Sequence, residues 1–120
     1  MTCDDMAKVS TTLTTKIHYV ALNVGTSNDS STYYPAIEEA MAQLTQLATD
    51  CAPQAVEPVA ALATAVADLL EQTVPGADAT AIATDKAALA AVREAGIAAY
   101  SSLRLPTNGW ENRPEDTVTG

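Results

Sequence analysis

Apolar residues recur every three or four positions along four segments of the chain. The first segment contains Met6, Val9, Leu13, Ile17, Val20 and Val24. This spacing places one apolar stripe along an α-helix. Asp4 and Asp5 lie at its start, where the helix dipole favours negative charge, and Gly25 lies at its end, where glycine is common. The pattern predicts a first helix over residues 4–24.

Two further stripes follow a polar segment, residues 25–32, which we expect to be a surface loop. The second helix is predicted from Pro35, a residue suited to the first turn of a helix, to Cys51. Its stripe contains Ile37, Met41, Leu44, Ala48 and Cys51. Two prolines indicate that residues 52–57 form either a short irregular turn or a first helical turn that is broken before the main helix. The third helix then extends to Thr73, and its stripe contains Val59, Leu62, Val66, Leu69 and Leu70.

The fourth helix is predicted to begin after Asp78, a favourable N-cap residue, and to extend to Leu103. Its apolar face contains Ile82, Leu89, Val92, Gly96, Tyr100 and Leu103. The charged residues of this helix are expected to point outward, and they are Asp85, Lys86, Arg93 and Glu94. Glycine costs about 1 kcal/mol inside a helix, so we expect Gly96 to allow a neighbouring backbone to come close.

Four helical stripes without strand-like alternation predict an all-α fold, an up-down-up-down four-helix bundle over residues 1–105. Residues 106–120 have no apolar period and contain Pro and Gly, so we expect an extended or disordered tail. The single Trp of the chain, Trp110, has two interpretations. It anchors a partner protein, since Trp is enriched at such positions, or the tail folds back and Trp110 covers a groove of its own bundle.

Charge excludes two classes of partner. The chain has 15 acidic and 6 basic residues, a formal net charge of -9, and so repels phosphate backbones and anionic lipid. Nucleic-acid binding and membrane-surface binding through a basic patch are therefore not expected. No stretch approaches 18 consecutive apolar residues, so we expect no membrane insertion. Aromatic residues make up only 4% of the chain, so its core must be built mainly from small and aliphatic side chains.

The two cysteines predict a disulfide. In antiparallel neighbours, Cys3 at the start of the first helix and Cys51 at the end of the second share one end of the bundle. Closing a loop of this length stabilises the fold by about 4 kcal/mol in the chain-entropy model. A disulfide indicates an oxidising compartment, so we expect a secreted, periplasmic or cell-envelope protein, seen as a mature domain without its signal peptide. Two alternatives are a lipid-bearing Cys3 of a bacterial lipoprotein and reduced, buried thiols of a cytosolic protein.

Aromatic residues and the single His suggest a ligand site. His18 and Tyr19 are adjacent on the first helix, and Tyr33 and Tyr34 precede the second. Because Tyr and His are axial ligands of haem, these four residues are candidates for a haem carrier, or for a lipid carrier of similar layout. In the alternative interpretation their rings cap one end of the bundle. In composition and helix count, the chain resembles the small exported, cysteine-bridged helical proteins of actinobacteria, a group that includes haem carriers.

The sequence gives little support for a catalytic or metal-binding site. The chain has no Gly-x-Ser-x-Gly elbow, no Cys-x-x-Cys and no His-x-x-x-His, and its acidic pairs fall where first helical turns ordinarily place acids. We therefore expect a non-enzymatic, exported or cell-envelope-associated bundle without a cofactor that acts as a protein-interaction or accessory subunit. The candidate contacts with its protein partner are Trp110, Arg104, Arg113, Tyr33 and Tyr34. The alternative is the haem or lipid carrier.

Overall fold

A computed structural model describes residues 2–118, which form helices joined by short turns and contain no strand. Five α-helices are present: α1 (Met6–Leu22), α2 (Tyr34–Cys51), α3 (Val56–Gln72), α4 (Ala79–Leu103) and α5 (Asn108–Glu111). Short 3-10 turns cover Cys3–Asp5, Ser30–Tyr33, Pro53–Ala55 and Pro114–Thr117. The predicted all-α class is confirmed. The simple four-helix count is not, because α5 adds a fifth helix.

Local signals explain where the long helices begin and end. The Asp78 carboxylate accepts a hydrogen bond of 2.9 Å from the Ala81 amide, so the predicted N-cap of α4 is confirmed. At the other end, Arg104 adopts a left-handed conformation with φ of 61°, which stops α4. After α1, Gly25 has φ of 79° and turns the chain toward α2.

The core forms where consecutive helices pack, α1 against α2, α2 against α3 and α3 against α4. Predicted stripe residues fill it, and those with at most 2% exposure include Leu13, Ile17, Ile37, Leu44, Val59, Leu62, Leu69, Leu89 and Val92. Small residues such as Ala48, Ala55 and Ala99 are also fully buried, which lets helix backbones approach closely. The apolar patterning of the sequence therefore identified most of the core.

Cys3 and Cys51 lie at disulfide-bonding distance, with their Cα atoms 5.9 Å apart. The bond links the 3-10 turn before α1 to the last residue of α2. The predicted pairing is confirmed, and both cysteines of the chain are used by it. Such a pair is compatible with an oxidising compartment.

The C-terminal residues depart from expectation. Residues 106–118, here called the C-terminal strap, carry α5 and a 3-10 turn and pack against α1 and α4. The expected extended or disordered tail is therefore wrong for these residues, since Trp110 and Glu115 are only 1% and 3% exposed. The physical reason is that burying one large ring between α1 and α4 holds a segment that has no helical period of its own. Residues 1, 119 and 120 lie outside the described part of the chain.

Candidate functional site

A groove of about 490 Å³ runs between α2 and α3. Its lining is mostly apolar and consists of Tyr34, Glu38, Met41, Ala42, Thr45, Ala63, Val66, Ala67, Leu70 and Glu71. Met41 and Val66 form its buried floor, whereas Ala42 and Ala67 are exposed on its walls. Short alanine side chains on both walls leave the space open. We call this feature the α2–α3 groove.

The α2–α3 groove lies in the acidic half of the molecule. Helices α2 and α3 contain six acidic residues and no Lys or Arg, and residues 17–85 as a whole contain neither basic type. Two of the acids, Glu38 in the second turn of α2 and Glu71 in the last turn of α3, lie on the rim of the groove. A cation entering the groove at this end therefore meets two carboxylates and no competing basic side chain of the lining.

Tyr34 provides a polar group at the same end of the α2–α3 groove. Its side chain is half-buried, and burial is the main reason that its pKa is raised above the ordinary value. The side chain of Thr73 opposes this shift, and the negative charges of Asp29 and Asp85 add to it. The phenol therefore stays protonated at neutral pH, with the Thr73 side chain beside it.

Asp85 was expected to point outward from α4, and this prediction is wrong. Its side chain is buried, and its carboxylate accepts a hydrogen bond of 2.8 Å from the Val74 amide in the α3–α4 connection. Burial raises the pKa of this carboxyl, and the hydrogen bond from Val74 lowers it. The connection between α3 and α4 folds over the start of α4, which buries the acid and supplies its donor.

Between α1 and α4, the C-terminal strap packs against both helices and fills the centre of the gap, with hollows of about 350 and 300 Å³ left at its edges. The Trp110 indole meets the Tyr100 ring edge-on, with centroids 5.2 Å apart, and lies directly on Gly96. A Cβ atom at Gly96 would overlap the indole, so glycine is required there. Close approach at Gly96 was predicted, although the approaching group is a side chain and not a backbone. We call this side the α1–α4 seam.

Tyr100 ties α4 to α1 within the α1–α4 seam. Its hydroxyl donates a hydrogen bond of 2.6 Å to the Ser10 carbonyl oxygen and lies 3.0 Å from the Thr14 hydroxyl. Burial raises the pKa of Tyr100 to about 12, and the bonds to Thr14 and Ser10 only partly offset that shift. The neutral phenol is the form that this packing requires.

Arg93 also contradicts the expected outward orientation. Its guanidinium is buried, forms an ion pair with Glu115 of the strap and donates a 3.1 Å hydrogen bond to the Asn112 carbonyl oxygen. Lys86 is half-buried and donates to the Val118 carbonyl, whereas Glu94 is exposed as predicted. Because α4 packs on α3 and also on the strap, its buried arc is wider than its apolar stripe. The ion pair with Glu115 and the hydrogen bond to Asn112, both residues of the strap, offset the free-energy cost of burying the Arg93 charge.

The predicted partner contacts do not form one surface. Trp110 is only 1% exposed, so its prediction as a surface anchor is wrong, and the alternative in which it covers a groove of its own bundle holds. Arg104 and Arg113 are exposed. Tyr33 packs against Tyr19, with ring centroids 5.3 Å apart. Of the proposed contacts, Tyr34 alone lines the α2–α3 groove.

The four candidate haem-carrier residues are likewise dispersed. His18 lines a hollow beside the strap together with Asn108 and Gly109, whereas Tyr34 faces the α2–α3 groove. The Tyr19 and Tyr33 rings contact each other at an interplanar angle of 40°, and Lys16 lies 5.4 Å from the centre of the Tyr19 ring. The structure therefore does not bring His18 and Tyr34 to one ligand site. Within residues 2–118, no group of three or more His, Cys, Asp or Glu side chains is arranged to hold a metal ion.

Sequence reasoning missed the α2–α3 groove because its walls are made of alanines that flank the apolar stripes. The available signal was the combination of Ala42, Ala63 and Ala67 with the absence of Lys and Arg from residues 17–85.

Within the described residues, no helix is both long and apolar enough to cross a membrane. Comparison with protein-family models, with curated proteins and with solved structures finds no match to this chain.

Proposed function

We propose that this chain is a non-enzymatic, exported or cell-envelope-associated helical protein that binds a protein partner through the α2–α3 groove. The observation that carries the proposal is the accessible apolar lining of that groove, a volume of about 490 Å³ bordered by carboxylates. Accessible apolar surface rimmed by polar groups is typical of interaction sites. The partner surface is therefore placed on α2 and α3, and not on Trp110.

Groove chemistry favours binding over catalysis. The polar lining groups are two rim carboxylates, the Tyr34 phenol and the Thr45 hydroxyl, and the latter donates to the Met41 carbonyl of its own helix. His18, the single imidazole of the chain, lines a different hollow beside the strap. No candidate nucleophile and base lie together among the groove residues, so the proposal includes no chemical step.

Two further parts of the proposal rest on the helix ends. The Cys3–Cys51 pair supports export, because disulfides persist in oxidising compartments. We also propose an up-down-up-down order for α1 to α4, with the C-terminal strap added beside it. Contacts at opposite ends support that order: the Gln54 side chain donates to the Ser102 carbonyl oxygen at 3.4 Å, and the Gly76 amide donates to the Thr26 carbonyl oxygen at 2.8 Å.

Site-specific photo-crosslinking in the source cells tests the proposed binding surface. A photoreactive residue replaces Ala42 or Ala67 on the groove walls, and the matched control carries it at Ala91, which is exposed on α4. We expect one protein adduct of defined mass from the two groove positions and none from Ala91. The adduct at Ala67 should disappear when Ala42→Glu is added. Equal crosslinking from Ala91, or insensitivity to Ala42→Glu, would contradict the proposal.

A second candidate function is carriage of a small apolar ligand such as a lipid. The observation that favours it is the groove volume of about 490 Å³, which lies within the range of small-molecule sites. Organic extraction of protein purified from its source, followed by mass spectrometry, tests this function. A stoichiometric lipid that is lost in Ala67→Glu would favour the carrier, and extraction of no such molecule would favour the protein partner.

A further inference from the structure

We infer that the α2–α3 groove takes an amphipathic helix of the partner that carries Lys or Arg at one end of its apolar face. This inference rests on the function proposed above and adds the chemistry of the partner. Its observations are the apolar lining of the groove and the placement of carboxylates without basic residues around it.

The shape of the groove suits one short helix. On α2 its lining extends from Tyr34 to Thr45, and on α3 from Ala63 to Glu71. At a rise of ~1.5 Å per residue, the α2 wall is roughly 17 Å long, which corresponds to about three helical turns of an occupant. Helices that bind in grooves use apolar anchors at i, i+3 or i+4, and i+7, which is the number that three turns supply.

The carboxylates on the rim of the groove favour a positively charged helix over a negatively charged one. Glu38 lies near the start of α2 and Glu71 at the end of α3, and in antiparallel neighbours these positions share one end of the groove. Tyr34 lines the groove at the same end. A helix with Lys or Arg at this end gains two ion pairs, whereas an acidic helix is repelled.

The C-terminal strap shows how this chain already fills an equivalent space. In the α1–α4 seam, α5 supplies the Trp110 ring, and the bundle supplies Arg93 to pair with Glu115 of the strap. In the α2–α3 groove the bundle supplies acids. By the same complementarity, a helix that binds there supplies apolar side chains and the basic groups.

A designed peptide tests the inferred chemistry. The probe is an 18-residue fluorescent helix of Leu and Lys with Leu at helical spacing, and its control has Glu in place of every Lys. The protein variants are Glu38→Lys/Glu71→Lys on the groove rim and, as a matched control, Glu57→Lys/Glu94→Lys at exposed positions that do not line it. Both pairs change the net charge equally, so their difference reports location. Affinity is measured by fluorescence anisotropy at physiological ionic strength, after circular dichroism confirms folding of each variant.

We expect the Leu/Lys probe to bind the natural protein and the rim reversal to weaken binding by roughly tenfold, against less than about twofold for the control pair. The Leu/Glu peptide should bind at least roughly tenfold more weakly than the Leu/Lys probe. Equal weakening by both variant pairs, no binding of the Leu/Lys probe, or equal binding of both peptides would overturn the inference.

The experiment separates failure of this inference from failure of the proposed function. If the groove positions still crosslink a natural partner while the Leu/Lys probe shows no preference for the rim acids, the partner helix is not cationic and the proposed function stands. If neither the crosslinks nor the probe respond to changes of the groove walls, both fail. The variant Ala67→Glu serves as that wall change, because Ala67 is exposed and its replacement leaves the core intact.

Discussion

The two sides of this molecule are built from similar helices and differ in what lies between them. The α1–α4 seam is closed by Trp110 and the Arg93–Glu115 pair of the C-terminal strap. The α2–α3 groove has a mostly apolar lining with short alanines on both walls and is left accessible. Alanine-rich helices pack closely where their stripes meet and leave gaps beside them. One gap is filled by the chain itself, and we propose that a partner helix fills the other.

The α1–α4 seam and the α2–α3 groove also differ in their basic residues. All six basic residues of the chain lie outside residues 17–85, and they are Lys8, Lys16, Lys86, Arg93, Arg104 and Arg113. The α1–α4 seam can therefore neutralise a buried acid of its strap, whereas α2 and α3 present carboxylates alone. This difference is the basis on which we propose a cationic helix for the α2–α3 groove.

Replacing Trp110 by Ala should have the largest effect on stability. Loss of a fully buried Trp costs about 3 to 5 kcal/mol, which corresponds to a fall in melting temperature on the order of 10 °C or more in a domain of this size. The control Leu22→Ala alters a side chain that is 52% exposed and should change stability by less than about 0.5 kcal/mol. Thermal unfolding followed by circular dichroism makes the comparison. A change of about a degree for Trp110→Ala would mean that the strap does not close the α1–α4 seam.

Reduction of the disulfide should have the next largest effect, because Cys3–Cys51 joins α1 of the closed side to α2 of the open side. We expect a loss of about 2 to 4 kcal/mol in the free energy of unfolding. Chemical denaturation with and without reductant measures it, and the variant Cys3→Ser/Cys51→Ser should be insensitive to reductant. Free labelling of both thiols, without reductant, in protein purified from an oxidising compartment would contradict the pairing and remove the argument for export.

Alkaline pH should weaken the α1–α4 seam through Tyr100. The folded pKa of about 12 lies above the ordinary tyrosine value of 10.0, so this phenol stabilises the fold fully below pH 10 and loses that contribution as the pH rises through about 12. An ultraviolet absorbance titration should therefore show a late tyrosine step that is smaller in Tyr100→Phe than in the natural protein, and Tyr34, whose pKa burial also raises, accounts for the remainder. A late step of unchanged size in Tyr100→Phe would show that the neutral Tyr100 hydroxyl is not locked in the seam.

Shortening a side chain that lines the α2–α3 groove should have the smallest effect on stability. Leu70 lines the α2–α3 groove and is half-buried, so Leu70→Ala should cost about 1 kcal/mol. Thermal unfolding of Leu70→Ala and Trp110→Ala, measured side by side, compares the loss of stability on the two sides of the molecule. A loss as large as that of Trp110→Ala would place the groove wall in the core and argue against an accessible binding surface.

Sequence reasoning recovered the elements whose signals are local or topological. Apolar spacing located all four long helices, and the Asp78 cap located the start of α4. Helix order alone brought Cys3 and Cys51 together, because antiparallel neighbours share their ends. These features depend on repeating residue types or on connectivity, both of which a single chain displays.

The strap and its partners could not be predicted in the same way. α5 is four residues long and has no period to detect, and its placement depends on a gap formed by two distant helices. Arg93 and Asp85 looked like solvent-facing residues because their partners, Glu115 and the Val74 amide, lie in segments without a pattern. Gly96 was the one signal of close packing, and it did not reveal that the approaching group is Trp110.

The central claim, that one side is filled by the chain and the other is open to a cationic helix, is tested most directly by nuclear magnetic resonance. Isotope-labelled protein is titrated with the Leu/Lys probe while backbone amide signals and the indole signal of Trp110 are followed. We predict shift changes at groove residues such as Ala42, Ala67 and Leu70, with the Trp110 indole signal unchanged. Changes centred on Trp110 and the strap, with the groove signals unmoved, would contradict the account.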